Sequence, residues 1–200
     1  MFKEMTVQEF IEKLASDAPT PGGGTAAAIM GAMGAGLFKM TIDITAKKVD
    51  DDLLSSIGES MKGAYEEFLV LADKDAEAFD EYMKAKAMPK STEEEKAVRK
   101  QALKAARIKS IEAPMQTLER SLEVLQAFDM IKDKISKYVL SDVIGGASAL
   151  KSAAKIAYAN VKINVAGKEA YAHYMENANK LMADASKLAN AIIDFAMERM

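Results

Sequence analysis

One stretch constrains this chain more than any other: from Asp51 to about Ala87, apolar residues recur at helical spacing for about ten turns without a proline or a turn cluster. A helix that long cannot bury its apolar stripe alone. Other helices must cover it, because no segment alternates with the period of two that marks a strand. The remaining segments are helical too. Thr6-x-x-Glu9 is a capping box, and Val7, Phe10, Ile11 and Leu14 follow it at helical spacing to Ser16. Thr25 is placed to cap a helix that runs to about Lys48. Thr92-x-x-Glu95 is a second capping box, opening a helix that meets Pro114, where a kink or restart is expected. Ser136 to Gly146 reads as a break with Ser141 or Asp142 as cap, followed by a helix to about Val165. Gly167 punctuates, and a last helix runs to the C-terminus. The expectation is an all-α, multihelical up-and-down bundle of long helices, a single domain over residues 1–200. Ala27, Gly31, Gly34, Ala35 and Gly36 crowd one helix, so another backbone is expected to pack close to it.

Composition removes several chemistries. The 200 residues contain no cysteine, so disulfides, thiolate metal sites and thiol nucleophiles are excluded. His173 is the single histidine, which argues against a polyhistidine metal site or a histidine-centred triad. With a net charge of −3 and no basic stripe, nucleic acid is not an expected partner. No signal peptide is visible, and the apolar run Ala26 to Phe38 is shorter than the roughly 20 residues of a membrane span. A cytoplasmic protein with no membrane partner is expected. Met30, Met33, Met40 and Met182 recur at helical spacing and read as core.

Three features depart from a plain bundle. Neighbours at helical spacing place Asp75 among Phe68, Leu71, Ala72, Ala78, Phe79 and Tyr82, none of them charged. Asp73 instead shares its face with Glu66, Glu77 and Asp80 and should look at solvent. A carboxylate on an apolar face is desolvated, which raises its pKa and suits it to general acid work. The same placement also fits an aspartate that caps a neighbouring helix or pairs with a lysine. Asn160-Val-Lys-Ile-Asn164 puts two amides on one face with Ala153, Ile156 and Ala157. They can read a heterocycle edge or join helices in the core. Pro21-Gly22-Gly23-Gly24-Thr25 exposes backbone N–H groups before a helix, suited to a closely approaching ligand or simply to a turn. No strand precedes it, so it is not a nucleotide-binding loop.

Taken together, these segments resemble the cyclodeaminase/cyclohydrolase family of folate enzymes. The resemblance rests on Pro21-Gly-Gly-Gly-Thr-Ala-Ala-Ala28, Asp73-Lys-Asp-Ala-Glu-Ala-Phe79, and Met88-Pro-Lys-Ser-Thr-Glu-Glu-Glu-Lys96 with Arg99. Ser141-Asp142 and Asn160-Val-Lys-Ile-Asn164 complete it. It spans nearly the whole chain. Thr25 stands where serine is commoner, and Val143-Ile-Gly-Gly follows Ser-Asp. The resemblance implies an all-helical homodimer with Asp75 as catalytic proton donor. Gly22, Gly23, Gly24, Thr25, Asp142, Asn160 and Asn164 would line a folate pocket, with Asn160 and Asn164 as pterin contacts. It further implies an ammonia lyase of one-carbon metabolism and histidine degradation, forming 5,10-methenyltetrahydrofolate from 5-formiminotetrahydrofolate. Cyclohydrolase activity on the methenyl compound and a non-catalytic helical dimer scaffold are the alternatives. No metal or other cofactor is called for beyond the tetrahydrofolate substrate, polyglutamylated or not. Lys47 and Lys48 are candidates to meet an acidic tail.

Overall fold

A computed structural model describes residues 1–200. Side-chain caps start three of the helices. Thr6 and Glu9 form a reciprocal capping box ahead of α1 (Val7–Leu14), and Thr92 and Glu95 do the same ahead of α4 (Glu93–Asp129). Asp51 accepts from the Leu54 N–H at 3.0 Å and opens α3 (Asp52–Ala87). The other long helices are α2 (Gly23–Ala46), α5 (Leu140–Val165) and α6 (Ala172–Glu198), with short 3-10 turns between some of them. No residue is in a strand.

α2 packs on α3 and α5, α4 packs on α3, α5 and α6, and α5 packs on α6. α1 buries no residue and lies outside the core. The centre is aromatic and aliphatic. Phe38 of α2 stacks on Phe128 of α4 with centroids 3.7 Å apart, and Phe68, Leu118, Leu125 and Ile131 are fully buried nearby. Close approach comes from missing side chains. A β-carbon on Gly34 would sit 2.7 Å from Leu150 and 2.9 Å from the Gly146 carbonyl, so α2 and α5 meet nearly backbone to backbone. Gly31 makes room for the Phe68 ring in the same way.

Several expectations are corrected. α2 starts at Gly23 with Gly22 as its cap residue, three positions before the expected cap Thr25. The Thr25 hydroxyl is engaged with a side chain of α3 instead. α4 passes through Pro114 as one helix rather than restarting. α5 begins at Leu140, and neither Ser141 nor Asp142 caps it. Burial of Val139 and Leu140 fixes that start, while the Ser136 N–H donates to the Thr45 hydroxyl at 3.0 Å and ties the connection to α2. Met30, Met33 and Met40 are not core: they are 37%, 63% and 38% exposed on the outer face of α2. Met182 does pack against the core. α2 is long enough, and over an 18-residue stretch apolar enough (mean hydropathy 1.3), to cross a membrane, contrary to the sequence expectation, because the apolar character continues past the charge of Lys39. Over half of that apolar stretch is buried inside the bundle.

Two glycines make the packing argument testable. Gly34→Ala should destabilise by about 1–3 kcal/mol, since the added methyl meets α5 backbone that cannot swing aside. Gly63 in α3 has nothing within 4 Å of an added β-carbon. Gly63→Ala should therefore stabilise by up to about 1 kcal/mol through helix propensity. Urea denaturation of both variants reads the two signs.

Candidate active site

α2 begins with bare backbone, because Gly22 has no side chain to cap it. A helix start leaves its first N–H groups unpaired and carries partial positive charge. The acceptor comes from fifty residues away. The Asp75 carboxylate of α3 sits over this first turn, where Oδ2 accepts from the Thr25 hydroxyl at 3.0 Å and the Thr25 backbone N–H also bonds the carboxylate. Gly24 makes the approach possible, since any β-carbon there would overlap the Asp75 carboxylate. Thr25 itself is fully buried behind it.

In front of Asp75 lies a cavity of about 360 Å³, within the range of small-molecule sites, roughly 300–1,000 Å³. Its floor is the loop and first turn at Pro19, Thr20, Gly22, Gly23 and Gly24. The Thr20–Pro21 peptide bond is cis. α3 supplies Asp75, Phe79 and Tyr82, α4 supplies Arg107 and Ser110, and α5 supplies Asn160, Ile163 and Asn164. Helical spacing explains each set: Asp75, Phe79 and Tyr82 fall four and three apart, as do Asn160 and Asn164 with Ile163 between them.

Hydrogen bonds fix these walls. Asn160 Nδ2 donates to the Ile156 carbonyl at 2.9 Å, and Gly23 leaves room for the Asn160 amide. Asn164 Nδ2 donates to the Ser110 carbonyl at 2.6 Å. Arg107 donates from Nη1 to the Asn164 carbonyl at 3.1 Å and from Nη2 to the Tyr82 hydroxyl at 2.7 Å. Asn164 thus joins α5 to α4, as the second sequence alternative held, while the Asn160 amide bonds back within its own helix at the cavity edge.

The electrostatics single out Asp75. Burial pushes its carboxyl above the ordinary aspartate range, while the Thr25 hydrogen bonds pull the other way and lose. It forms no ion pair, so of its two structural alternatives the helix cap is present and the lysine partner is not. Asp75 is the single acidic residue of the lining, and no group of three or more acid or histidine side chains is placed to hold a metal ion.

Of the residues singled out in the sequence, Gly22, Gly23, Gly24, Asp75, Asn160 and Asn164 line one cavity, and Thr25 stands just behind them. Asp142 does not join them. It lies in the first turn of α5, about 27 Å along that helix from Asn160. Lys47 and Lys48 are also remote, at the far end of α2, about 35 Å from Gly23. Asp73 does not simply face solvent: it accepts from the Phe2 backbone N–H at 2.7 Å and anchors the N-terminal segment. Arg107 and Ser110 were missed by sequence reasoning. Their signal was faint, a spacing of three on α4 with Ser110 one turn before Pro114.

The Asp75 environment predicts a pH dependence of stability. Its folded pKa is raised, so its contribution is fully present below the ordinary aspartate value. As pH climbs from there through the folded pKa, the unfolded chain ionises first and the contribution is lost. Asp75→Asn should lack this component. Denaturation midpoints of both proteins across acidic to neutral pH should show the wild type losing ground to the variant as pH rises. A flat difference would mean that Asp75 is not held protonated.

Comparisons with known proteins place the chain in a family. The family model for formiminotransferase-cyclodeaminase matches residues 6–177. A methenyltetrahydrofolate cyclohydrolase from Methylorubrum extorquens is 37% identical over 166 residues, covering 78% of this chain and 79% of that protein. The formimidoyltransferase-cyclodeaminase of Dictyostelium discoideum is 30% identical over 203 residues, covering 98% of this chain. That of Gallus gallus is 29% identical over 160 residues, covering 78%. The chain spans 37% and 30% of the length of those two proteins. The crystal structure of formiminotetrahydrofolate cyclodeaminase from Thermotoga maritima superposes with a TM-score of 0.80, covering 100% of this chain and 97% of that one. At 24% identity this likeness speaks for the fold. With a matching family model over most of its length and folate-processing enzymes as relatives, the chain belongs to the formiminotransferase-cyclodeaminase family.

Proposed function

We propose that this protein is a formimidoyltetrahydrofolate cyclodeaminase, an ammonia lyase acting on 5-formiminotetrahydrofolate. The observation that carries the reading is a buried-side carboxyl, Asp75, raised above its ordinary pKa and facing a ligand-sized cavity without a cation beside it. A carboxyl shifted in this direction keeps its proton to higher pH than an ordinary aspartate and can release it to a leaving group.

The chemistry needs little more than position and one proton. N10 of the substrate attacks the carbon of the protonated formimino group (–CH=NH2+), forming a C–N bond and leaving that nitrogen as a neutral amino group. The amino group on that carbon takes the Asp75 proton, its C–N bond breaks, and ammonia leaves. N10 gives its own proton to the Asp75 carboxylate, so the acid is restored and the 5,10-methenyl bridge remains. The Thr25 hydrogen bonds and the α2 N-terminus stabilise the carboxylate during its brief ionised life. Phe79 and Tyr82 offer flat apolar surface to a ring, and the Asn160 amide oxygen offers an acceptor at its edge.

Cyclohydrolase activity is the second reading. The Methylorubrum extorquens relative favours it, being named a methenyltetrahydrofolate cyclohydrolase and similar over most of its own length. There Asp75 would take a proton from water as it adds to the methenyl carbon. Assaying ammonia release from the formimino compound beside hydrolysis of the methenyl compound separates the two. Asp75→Asn keeps an acceptor for Thr25 but cannot give up a proton. It should cut turnover by about 10²–10⁴-fold and leave the folate Kd within a few-fold of wild type. Unchanged turnover would refute the assignment.

The reading extends to a homodimer. Support comes from the outer face of α2, where Met30, Met33 and Met40 form an exposed apolar stripe with no partner in the protomer. Met33→Glu should shift sedimentation toward the monomer, and a wild type that sediments as a monomer would sink this part.

A further inference from the structure

Arg107 is the one cation lining the cavity, and nothing neutralises it. It makes no ion pair with any carboxylate of the chain. Its two hydrogen-bond acceptors, the Tyr82 hydroxyl and the Asn164 backbone carbonyl, are both uncharged. An arginine without a carboxylate, facing a cavity, leaves charge and donors available to a ligand.

Its geometry is set before any ligand arrives. The two hydrogen bonds hold both Nη atoms, and the guanidinium carbon stands 5.1 Å from the centroid of the Tyr82 ring. The remaining N–H groups of the fork stay free. A planar fork presented in this way matches a carboxylate better than a lysine would.

The two charges sit at different ends. Tyr82, which holds Arg107, follows Asp75 by seven residues on α3, about 10 Å along the helix axis. Asp75 and Arg107 make no salt bridge with each other, and Phe79 lies between them on the same wall. The cavity therefore has an acid at one end, an unpaired cation at the other, and an aromatic wall between. A matching ligand has its reacting nitrogen and carbon at one end, a flat ring in the middle and an anion beyond it.

We propose that Arg107 is a specificity-determining residue that receives a glutamyl carboxylate of the substrate, with the one-carbon centre held at Asp75. This rests on the folate reading above and adds to it the direction in which the substrate lies. The aminobenzoyl ring of a folate would lie along Phe79, spanning the distance between its one-carbon nitrogens and its carboxylates. The pterin is then left to the Gly23 and Asn160 side. Lys47 and Lys48 are too far away to serve the same carboxylate.

The test pairs a protein change with a substrate change. Wild type, Arg107→Gln and Arg107→Lys are titrated with tetrahydrofolate bearing one glutamate and with an analogue whose glutamate is replaced by a neutral alkyl amide. Arg107→Gln should weaken the glutamate-bearing ligand by about tenfold or more, the weight of one charge-assisted hydrogen bond. It should weaken the neutral analogue much less, by the loosening of the Tyr82 and Asn164 walls alone. Arg107→Lys should fall between, because it keeps charge but loses the fork. Added salt should weaken the glutamate-bearing ligand for wild type and not for Arg107→Gln.

If the variants weaken both ligands equally, Arg107 only holds α5 through the Asn164 carbonyl, and the proposal is wrong. If wild type binds the two ligands equally tightly, the proposal is wrong while the folate reading stands. If wild type binds neither ligand, the folate reading has failed and takes the proposal with it. Should Arg107→Gln not fold, by circular dichroism, the lysine variant and the wild-type comparison of the two ligands still decide.

Discussion

A carboxylate seated on the start of another helix organises this structure. Asp75 supplies α2 with the cap that Gly22 cannot provide, and Gly24 supplies the space. This one contact joins α2 to α3 at the end of the bundle where the cavity opens. It also sets the chemistry of Asp75. Burial favours the neutral acid, while the Thr25 donors and the helix terminus favour the anion. A proton donor in catalysis needs both states within reach. Burial without the donors would make ionisation too costly, and the donors without burial would leave an ordinary aspartate, already ionised at neutral pH. The structural role and the proposed catalytic role are thus one arrangement viewed from two sides.

The rest of the bundle keeps that contact rigid. α2 can lie between α3 and α5 because Gly31 admits Phe68 and Gly34 meets Gly146 across almost bare backbone. Phe38 then stacks on Phe128 and carries the same helix onto α4. With α2 gripped on three sides, its first turn becomes a fixed floor rather than a loop. The glycines that weaken a lone helix are what allow three neighbours to hold this one.

Much of this was legible because it is local. Spacing along one helix separated Asp75 from Asp73 and put Asn160 beside Asn164, with no knowledge of any neighbour. The capping boxes at Thr6 and Thr92 were read in the same way. The failures involve a second element. Thr25 has the right chemistry for a cap, yet its hydroxyl is taken by Asp75, so α2 starts earlier. Asp142 stands in a motif with a family likeness, but rise per residue along α5 carries it away from the cavity. Met30, Met33 and Met40 have core spacing, and only the packed bundle reveals which face of α2 is left over. Arg99, quoted with a family motif, donates to the Lys86 carbonyl and ties the α3–α4 corner, a role that no spacing along α4 could disclose.

Pro114 shows how a local rule can hold while its usual consequence does not. A proline inside a helix removes the N–H that would bond the carbonyl four residues earlier, here that of Ser110. The expected outcome is a kink or a restart, and α4 does not restart. Instead, Asn164 of α5 donates to that freed carbonyl at 2.6 Å, and Arg107 of α4 donates back to the carbonyl of Asn164 at 3.1 Å. α4 and α5 therefore exchange hydrogen bonds at the edge of the cavity. The Ser110 hydroxyl adds bonds to Ala106 in its own helix and, at 3.4 Å, to Ala78 of α3. The donor removed by the proline is replaced by one from the facing helix, and the replacement fixes the wall that carries Asn160, Asn164 and Arg107. What looks in the sequence like a defect in α4 is, in the folded chain, the vacancy that lets two helices lock where a ligand would meet them.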